Sequence, residues 1–184
     1  MVAAFLKAEF TSPRFGDELK KVMKEQGIAE EIIAKPNLNN EDENRLRAQV
    51  LGEYRGYKQN SKIFQGFPDD LTWYEAELAR DEIGDLQYVD YSYWNELSDH
   101  THQVKRAVAN IQKGKVVFGV SHDRFLTVAE HIRQGKQNLE PMILWSKNTD
   151  SPLTILEGHL RATAFGLAGE KAPLTIKVIV GLGE

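Results

Sequence analysis

The chain contains no cysteine. That absence removes disulfides, thiolate nucleophiles and cysteine-based metal sites together, and it agrees with a reducing compartment. No apolar run approaches the roughly 18 to 20 residues needed to span a bilayer. The start, Met1-Val2-Ala3-Ala4-Phe5-Leu6-Lys7, is too short for a signal h-region and has no basic stretch before it. These absences predict a cytoplasmic protein with no membrane partner. Also missing are a Pro/Gly/Ser-rich linker, an internal repeat, a P-loop and a Gly-x-Ser-x-Gly motif, so the commonest sequence marks of nucleotide and acyl chemistry are not there.

What is present suits one domain of ordinary size, or a core with a helical extension: 184 residues, 41% hydrophobic and 27% charged. The net charge of −4 does not mark a DNA-binding protein. Its distribution is uneven. Residues 69–99 carry ten acids against one base, Arg80, whereas residues 100–136 carry seven bases against two acids. Two readings follow: a local positive field for an anionic ligand, or two solvated faces that attract each other.

Periodicity predicts a helical first part. Phe15–Lys35 reads as helix, with Val22, Met23, Ile28, Ile32 and Ile33 at rough 3.6 spacing, Gly27 as a weak point and Pro36 as a stop. Asn39 or Asn40 caps a helix over Glu41–Arg55 that ends at Gly56. Leu71–Arg80 reads as a helix capped by Asp69 or Asp70, with Trp73 and Leu78 inward. Trp94–Lys113 reads as another, closed by Gly114. Beyond it, Val116–Val120 reads as a strand, and Ser121 as the cap of a helix over His122–Gln134. Met142–Trp145 and Leu153–Leu156 form a hairpin across the Asn148–Pro152 turn. A helix follows over Gly158–Ala168, and a last strand, Leu174–Val180, alternates apolar and polar residues.

The chemically pointed segment is the handover from the strand ending at Leu156 to this helix, through Glu157, Gly158, His159 and Arg161. Glycine lets the backbone turn sharply or approach a ligand. The first amides of a helix lack internal partners and carry partial positive charge, so a phosphate placed there accepts hydrogen bonds from them. Arg161 adds a fork-shaped cation, His159 a donor that titrates near neutrality, and Thr163 a hydroxyl. The plain alternative is an i, i+4 pair of Glu157 with Arg161 and a packing role for His159.

The stretch Ile155-Leu156-Glu157-Gly158-His159-Leu160-Arg161-Ala162-Thr163-Ala164 resembles the Gly-His-x-Arg-x-x-Ala box of the ParB/sulfiredoxin superfamily. The order of neighbouring elements over residues 116–184 is similar as well. The resemblance implies an α+β protein. A mostly helical N-terminal region, residues 1–115, would pack on a small mixed-sheet ParB/sulfiredoxin-like α/β module, residues 116–184. It implies phosphate contacts from Gly158, His159 and Arg161, with Glu157 at a position often held by an acid; the Thr163 hydroxyl read above would complete the phosphate-binding set, and the ligand would be ATP or CTP with Mg²⁺. By likeness to free-serine kinases of that superfamily it implies His122 and Asp123 as a catalytic pair, with Asp123 as base. An acid in the first turn of a helix also has a simpler reason, complementing the dipole.

The departures from the pattern are informative. Sulfiredoxins carry a cysteine in the box; this chain has none, which excludes that reductase chemistry. Partition ParB proteins carry a helix-turn-helix after the module, whereas this sequence ends at Glu184, directly after the last strand, and Leu160 stands where a second basic residue is common. Three functional readings follow. The first is a phosphate-binding protein acting on nucleotides, as phosphotransferase or hydrolase. The second is a non-catalytic protein that binds DNA or a protein partner. The third is an accessory factor of a nuclease or DNA-modification system, as in ParB-like nuclease domains.

Other constellations are weaker. His100-Thr101-His102 would offer both imidazoles to a metal in a strand but not at a helix start, so no metal site is expected there. Ser121-His122-Asp123 has triad residue types, but triad members converge from separate elements. The aromatic-acidic run Trp73-Tyr74, Tyr88, Tyr91, Tyr93-Trp94 reads as packing, with a ligand-cleft wall or a protein-binding surface as the alternative.

Overall fold

The computed structural model describes residues 1–136 and 140–183. Glu184, the last residue of the expected C-terminal module, lies outside them. The architecture is α+β, and the chain forms two compact units, Met1–Asp69 and Asp70–Glu184.

The first unit is helical: α1 (Val2–Phe10), α2 (Gly16–Glu25), α3 (Glu31–Ala34) and α4 (Glu41–Arg55), followed by a 3-10 turn at Lys62–Phe64. The expected long helix from Phe15 is two, because Gly27 takes φ 66° and the chain turns after Glu25. Asn40 caps α4, its Oδ1 accepting from the Asp42 and Glu43 amides, and Gly56 ends it at φ 84°. Phe5, Leu6, Leu19, Met23, Ile33, Val50 and Leu51 fill this unit's core. Arg47 is buried among them. Its guanidinium donates to the Ile32 carbonyl at 2.8 Å, the Asn37 carbonyl at 2.9 Å, Asn44 Oδ1 at 2.6 Å and Glu43 Oε2 at 3.1 Å. One side chain thus satisfies the backbone that leaves α3 and ties it to α4.

The second unit is built on a mixed four-stranded sheet in the order β1-β4-β2-β3. Its strands are β1 (Thr72–Ala79), β2 (Met142–Ser146), β3 (Thr154–Glu157) and β4 (Thr175–Leu182). β1 is antiparallel to β4, β4 parallel to β2, and β2 antiparallel to β3. The segment expected as a helix over Leu71–Arg80 is therefore a strand. It pairs with β4 along its whole length, from Thr72↔Leu182 to Ala79↔Thr175, and ladder bonding overrides the local helix preference of Glu75–Leu78. Trp73 and Leu78 do not share an inward face: Trp73 lies over Gly181, while Leu78 enters the core.

The expected helix Trp94–Lys113 is divided into α5 (Ser92–Leu97) and α6 (Val104–Gln112). Between them Asp99, His100 and His102 take positive φ. Ser98 Oγ accepts from the His102 amide, and Asp99 accepts from Arg106 Nε at 2.6 Å, Lys115 Nζ at 2.7 Å and Asn110 Nδ2 at 3.0 Å. Those bonds, from Lys115 first, then Asn110 and Arg106, hold the Asp99 carboxyl well below the usual carboxylate range. With Lys105 on Asp85 at 2.6 Å, the basic segment folds back on the acidic one, as the attraction reading requires.

Val116–Val120 is not a strand. A lone bridge joins Val117 to Val120 across a tight turn, with Phe118 at φ 51° and Gly119 at φ 69°. Among the described residues no strand pairs with it, and Val116, Phe118 and Val120 are exposed. The remaining elements follow the sequence pattern: α7 (Asp123–Arg133), the β2–β3 hairpin and α8 (His159–Ala168). Residues 70–115 belong to the same compact unit as the module, because β1 joins its sheet and α6 packs on α8. α6, α7 and α8 cover the apolar side of β4, where Ile176, Val178 and Val180 meet Phe125, Ala129, Ala164 and Phe165 in one core. No helix among the described residues is long and apolar enough to cross a membrane.

Removing the Arg47 side chain takes the donor from the part-buried carbonyls of Ile32 and Asn37 and from the Glu43 carboxylate. Arg47→Ala is expected to destabilise the protein by about 3 kcal/mol in urea unfolding. The exposed Arg45→Ala is expected to change it by less than about 0.5 kcal/mol.

Candidate functional site

The β3–α8 turn is shaped by one glycine. Gly158 sits at φ 107°, and a Cβ there would lie 2.9 Å from Met142 Cγ and 3.1 Å from Arg161 Nη2. Neither the conformation nor the space admits another residue without displacement. The bulge in β2–β3 pairing, between Ile143 and Leu144, brings Glu157 opposite Ile143 just before this turn.

Gly158 is the N-cap of α8 and has no side chain with which to cap it. The carbonyl of Gly158 accepts from the Ala162 amide, and no N-cap side chain meets the first amides of the helix. Arg161 reaches back over the turn. Its Nη2 pairs with Glu157 Oε2 and lies 3.4 Å from the Pro141 carbonyl, while its Nε is buried without an acceptor among the described residues.

His159 lies against an aromatic group. Its ring centroid is 5.4 Å from Trp94 and 6.0 Å from Tyr88, and those rings stack on each other at 4.4 Å, all near parallel. Part of the residue keeps some surface, but Nε2 itself is buried and unpartnered. Burial, and secondarily the Arg161 guanidinium, push this imidazole down to about 4, so it is neutral at physiological pH. A neutral imidazole donates at one nitrogen and accepts at the other.

Thr163 is fully buried. Its hydroxyl donates to the His159 carbonyl at 2.7 Å and lies 2.8 Å from the Tyr88 hydroxyl, which is the donor of that pair. Burial pushes the Tyr88 hydroxyl far up, so it stays protonated. Thr163 therefore braces the turn from within the fold.

His122 and Asp123 stand at the N-terminus of α7. The His122 ring is 5.9 Å from Phe125, and Phe125 is 6.0 Å from Trp94. Arg133, at the far end of α7, donates to the Leu167 carbonyl near the far end of α8, so the two helices run side by side and both N-termini approach the aromatic group. His122 Nε2 is buried and unpartnered, and burial lowers its pKa against the opposing pull of Asp123. The Asp123 carboxylate is exposed, and its amide is held by Ser121 Oγ. Residue-type reasoning missed that Tyr93 Oη and Asn95 Oδ1, either side of Trp94 in the chain, are also buried without a partner among the described residues. Their signal in the sequence was the aromatic run, read chiefly as packing. Among the described residues no group of three or more histidines and acids is placed to hold a metal.

No protein-family model, curated protein or solved structure matches the chain.

His159 gives the turn a pH signature. Its pKa is about 4 folded against 6.5 ordinarily. As pH falls the unfolded chain takes the proton first, so this residue's stabilising contribution is full above about 6.5, declines towards 4, and is level below that. Each tenfold difference in proton affinity corresponds to about 1.4 kcal/mol. Urea midpoints measured across that window should show the slope in the wild type and lose it in His159→Gln. Gly158→Ala should cost about 1–3 kcal/mol through backbone strain, measured the same way at neutral pH.

Proposed function

We propose that the Glu157–Arg161 turn binds the phosphate groups of a nucleotide. The observation that carries this reading is the pair of buried, unpartnered groups, Arg161 Nε and His159 Nε2, beside the uncapped first turn of α8. Buried polar groups normally find partners, so unmet ones call for a ligand or water. Guanidinium and helix amides favour a phosphate-type oxyanion. A neutral His159 donates to it in the Nε2–H tautomer without charge. The resemblance to the ParB/sulfiredoxin box points the same way and suggests ATP or CTP with Mg²⁺. On this reading Gly158, His159 and Arg161 contact phosphate. Phosphoryl transfer or nucleotide hydrolysis would add Asp123 as base and His122 as a second imidazole, both at the neighbouring helix N-terminus.

A second reading has its own support. Val116, Phe118 and Val120 present apolar side chains to solvent on a turn that holds Phe118 at positive φ. That favours a binding protein, with DNA or a protein partner, that carries the box without catalysis. A nuclease or DNA-modification accessory factor is one form of it.

A thermal-shift panel of ATP, CTP, GTP and ADP, with and without Mg²⁺, tests the first reading. Nucleotide at about 100 times its Kd adds about 2.7 kcal/mol of stability. Arg161→Ala is expected to abolish the shift while the protein stays folded, and an unchanged shift in that variant rejects this site. Asp123→Asn is expected to keep binding and to lose any phosphoryl transfer. In the DNA reading, a gel shift weakens steeply with added salt.

A further inference from the structure

We infer that the outer edge of β1 is a docking site for an extended, basic segment of a partner protein, which joins the sheet as a further antiparallel strand. β1 ends the sheet on that side, with β4 as its strand neighbour. The ladder fixes the direction of its backbone groups. The Arg80 amide donates to the Leu174 carbonyl at 2.8 Å, in the register that pairs Ala79 with Thr175. In an antiparallel ladder alternate residues exchange bonds with the partner strand. Leu78, Ala76 and Tyr74 therefore turn their N–H and C=O groups to β4, while Glu77 and Glu75 turn theirs outward. The Ala79 amide agrees with this phase: it belongs to the outward set and donates to Glu82 Oε2 at 2.8 Å. That carboxylate closes the edge at its C-terminal end. Along Glu75, Ala76 and Glu77 the chain is exposed, and no strand of the described residues lies beside it.

The two faces of β1 define the partner. Tyr74 and Ala76 share a face with Val180 and Val178, their register partners on β4. The valines are buried in the core under the helices, whereas Tyr74 is 50% exposed and Ala76 is exposed as well. The cover over β4 thus stops short of this part of β1, and apolar side chains of an added strand would lie against Tyr74 and Ala76. Glu75 and Glu77 share the other face, two residues apart. Lys177 stands opposite Glu77 on β4, and Arg80 is turned to the Glu170 and Ala172 carbonyls. Among the described residues neither carboxylate is in an ion pair.

These charges decide the occupant. Like charges directly opposite each other destabilise a strand pair, and opposite charges stabilise it. Two-fold pairing of β1 with a second copy of itself, centred on Glu75, Ala76 or Glu77, sets two glutamates against each other. Charged edges guard against self-pairing in this way. The same acids favour a strand with Lys or Arg opposite Glu75 and Glu77 and an apolar residue between them. Backbone bonds then supply affinity, and the alternating side chains supply specificity. The β3–α8 turn takes no part, so this docking site and the phosphate reading stand or fall separately.

The test uses the full chain and a fluorescein-labelled peptide of alternating Lys and Val, seven residues long, read by fluorescence anisotropy. A peptide of the same composition with its lysines and valines in two blocks is the control for charge alone. The alternating peptide should bind at least about tenfold tighter. In the antiparallel pairing the amides of its lysines, opposite Glu75 and Glu77, point at β1. N-methylation of the lysine amides should therefore abolish binding, and N-methylation of the valine amides should leave it within about twofold. Hydrogen exchange of the complex should slow at the Glu75 and Glu77 amides and stay unchanged at Tyr74 and Ala76. Glu75→Gln with Glu77→Gln should weaken binding about fivefold. Glu77→Pro removes an outward N–H and leaves the β4 ladder whole, so it should fold and lose the peptide; if it misfolds, the methylated peptides carry the test. Equal binding of the two peptide orders, or of the two methylated forms, overturns the docking site. So does a dimer of the free chain that Glu77→Pro dissolves, since the edge then belongs to a second copy.

Discussion

The arrangement of the second unit around its candidate site depends on a single constraint, the left-handed turn at Gly158. The residue has positive φ and no room for a Cβ beneath Met142 and Arg161. Because the chain turns there, β3 hands over to α8 within one residue, so Glu157 and Arg161 can meet and His159 is driven against Trp94 and Tyr88. The buried Thr163 hydroxyl holds the His159 carbonyl one turn later. An unhindered loop at this position would leave the same residue types near one another without fixing any of them.

Electrostatics in this unit is mostly internal. Asp99 gathers Arg106 and Lys115, and Lys105 meets Asp85, so three cations of the basic run are drawn onto the acidic one. Arg161 is held by Glu157 in the same manner. What distinguishes the Arg161 neighbourhood is a pair of buried polar atoms, Arg161 Nε and His159 Nε2, with no partner among the described residues, in a region where burial keeps the imidazole uncharged. Unmet donors of that kind cost stability unless something fills them. That cost is the physical basis for reading the turn as a site and the Asp99 cluster as a brace.

Parts of both units were legible in advance because their signals are local. Asn40 and Gly56 bound α4 by cap chemistry, Gly158 and Gly169 bound α8, and the alternation of Ile176, Val178 and Val180 marks the apolar side of β4. The readings that failed depend on partners distant in sequence. β1 is a strand because β4, a hundred residues later, supplies its hydrogen bonds, although Glu75 to Leu78 would suit a helix alone. Val116–Val120 looks like a strand by composition and is a turn because no partner strand lies beside it. The split after α5 comes from Asp99 and Ser98 capturing neighbours that periodicity does not see.

The amino-acid sequence by itself determined the α+β class, the helix ends set by Asn40, Gly56 and Gly158, and the grouping of Glu157, His159 and Arg161 at one turn. These follow from φ preferences, capping and spacing, which act over a few residues. Only the tertiary structure decided that β1 joins the sheet, that Arg47 is buried as a multi-donor tie, and that His159 is neutral beneath Trp94. It also decided that Arg161 is half engaged by Glu157. Each of these is a matter of which distant groups exclude water from one another, and that is settled by packing.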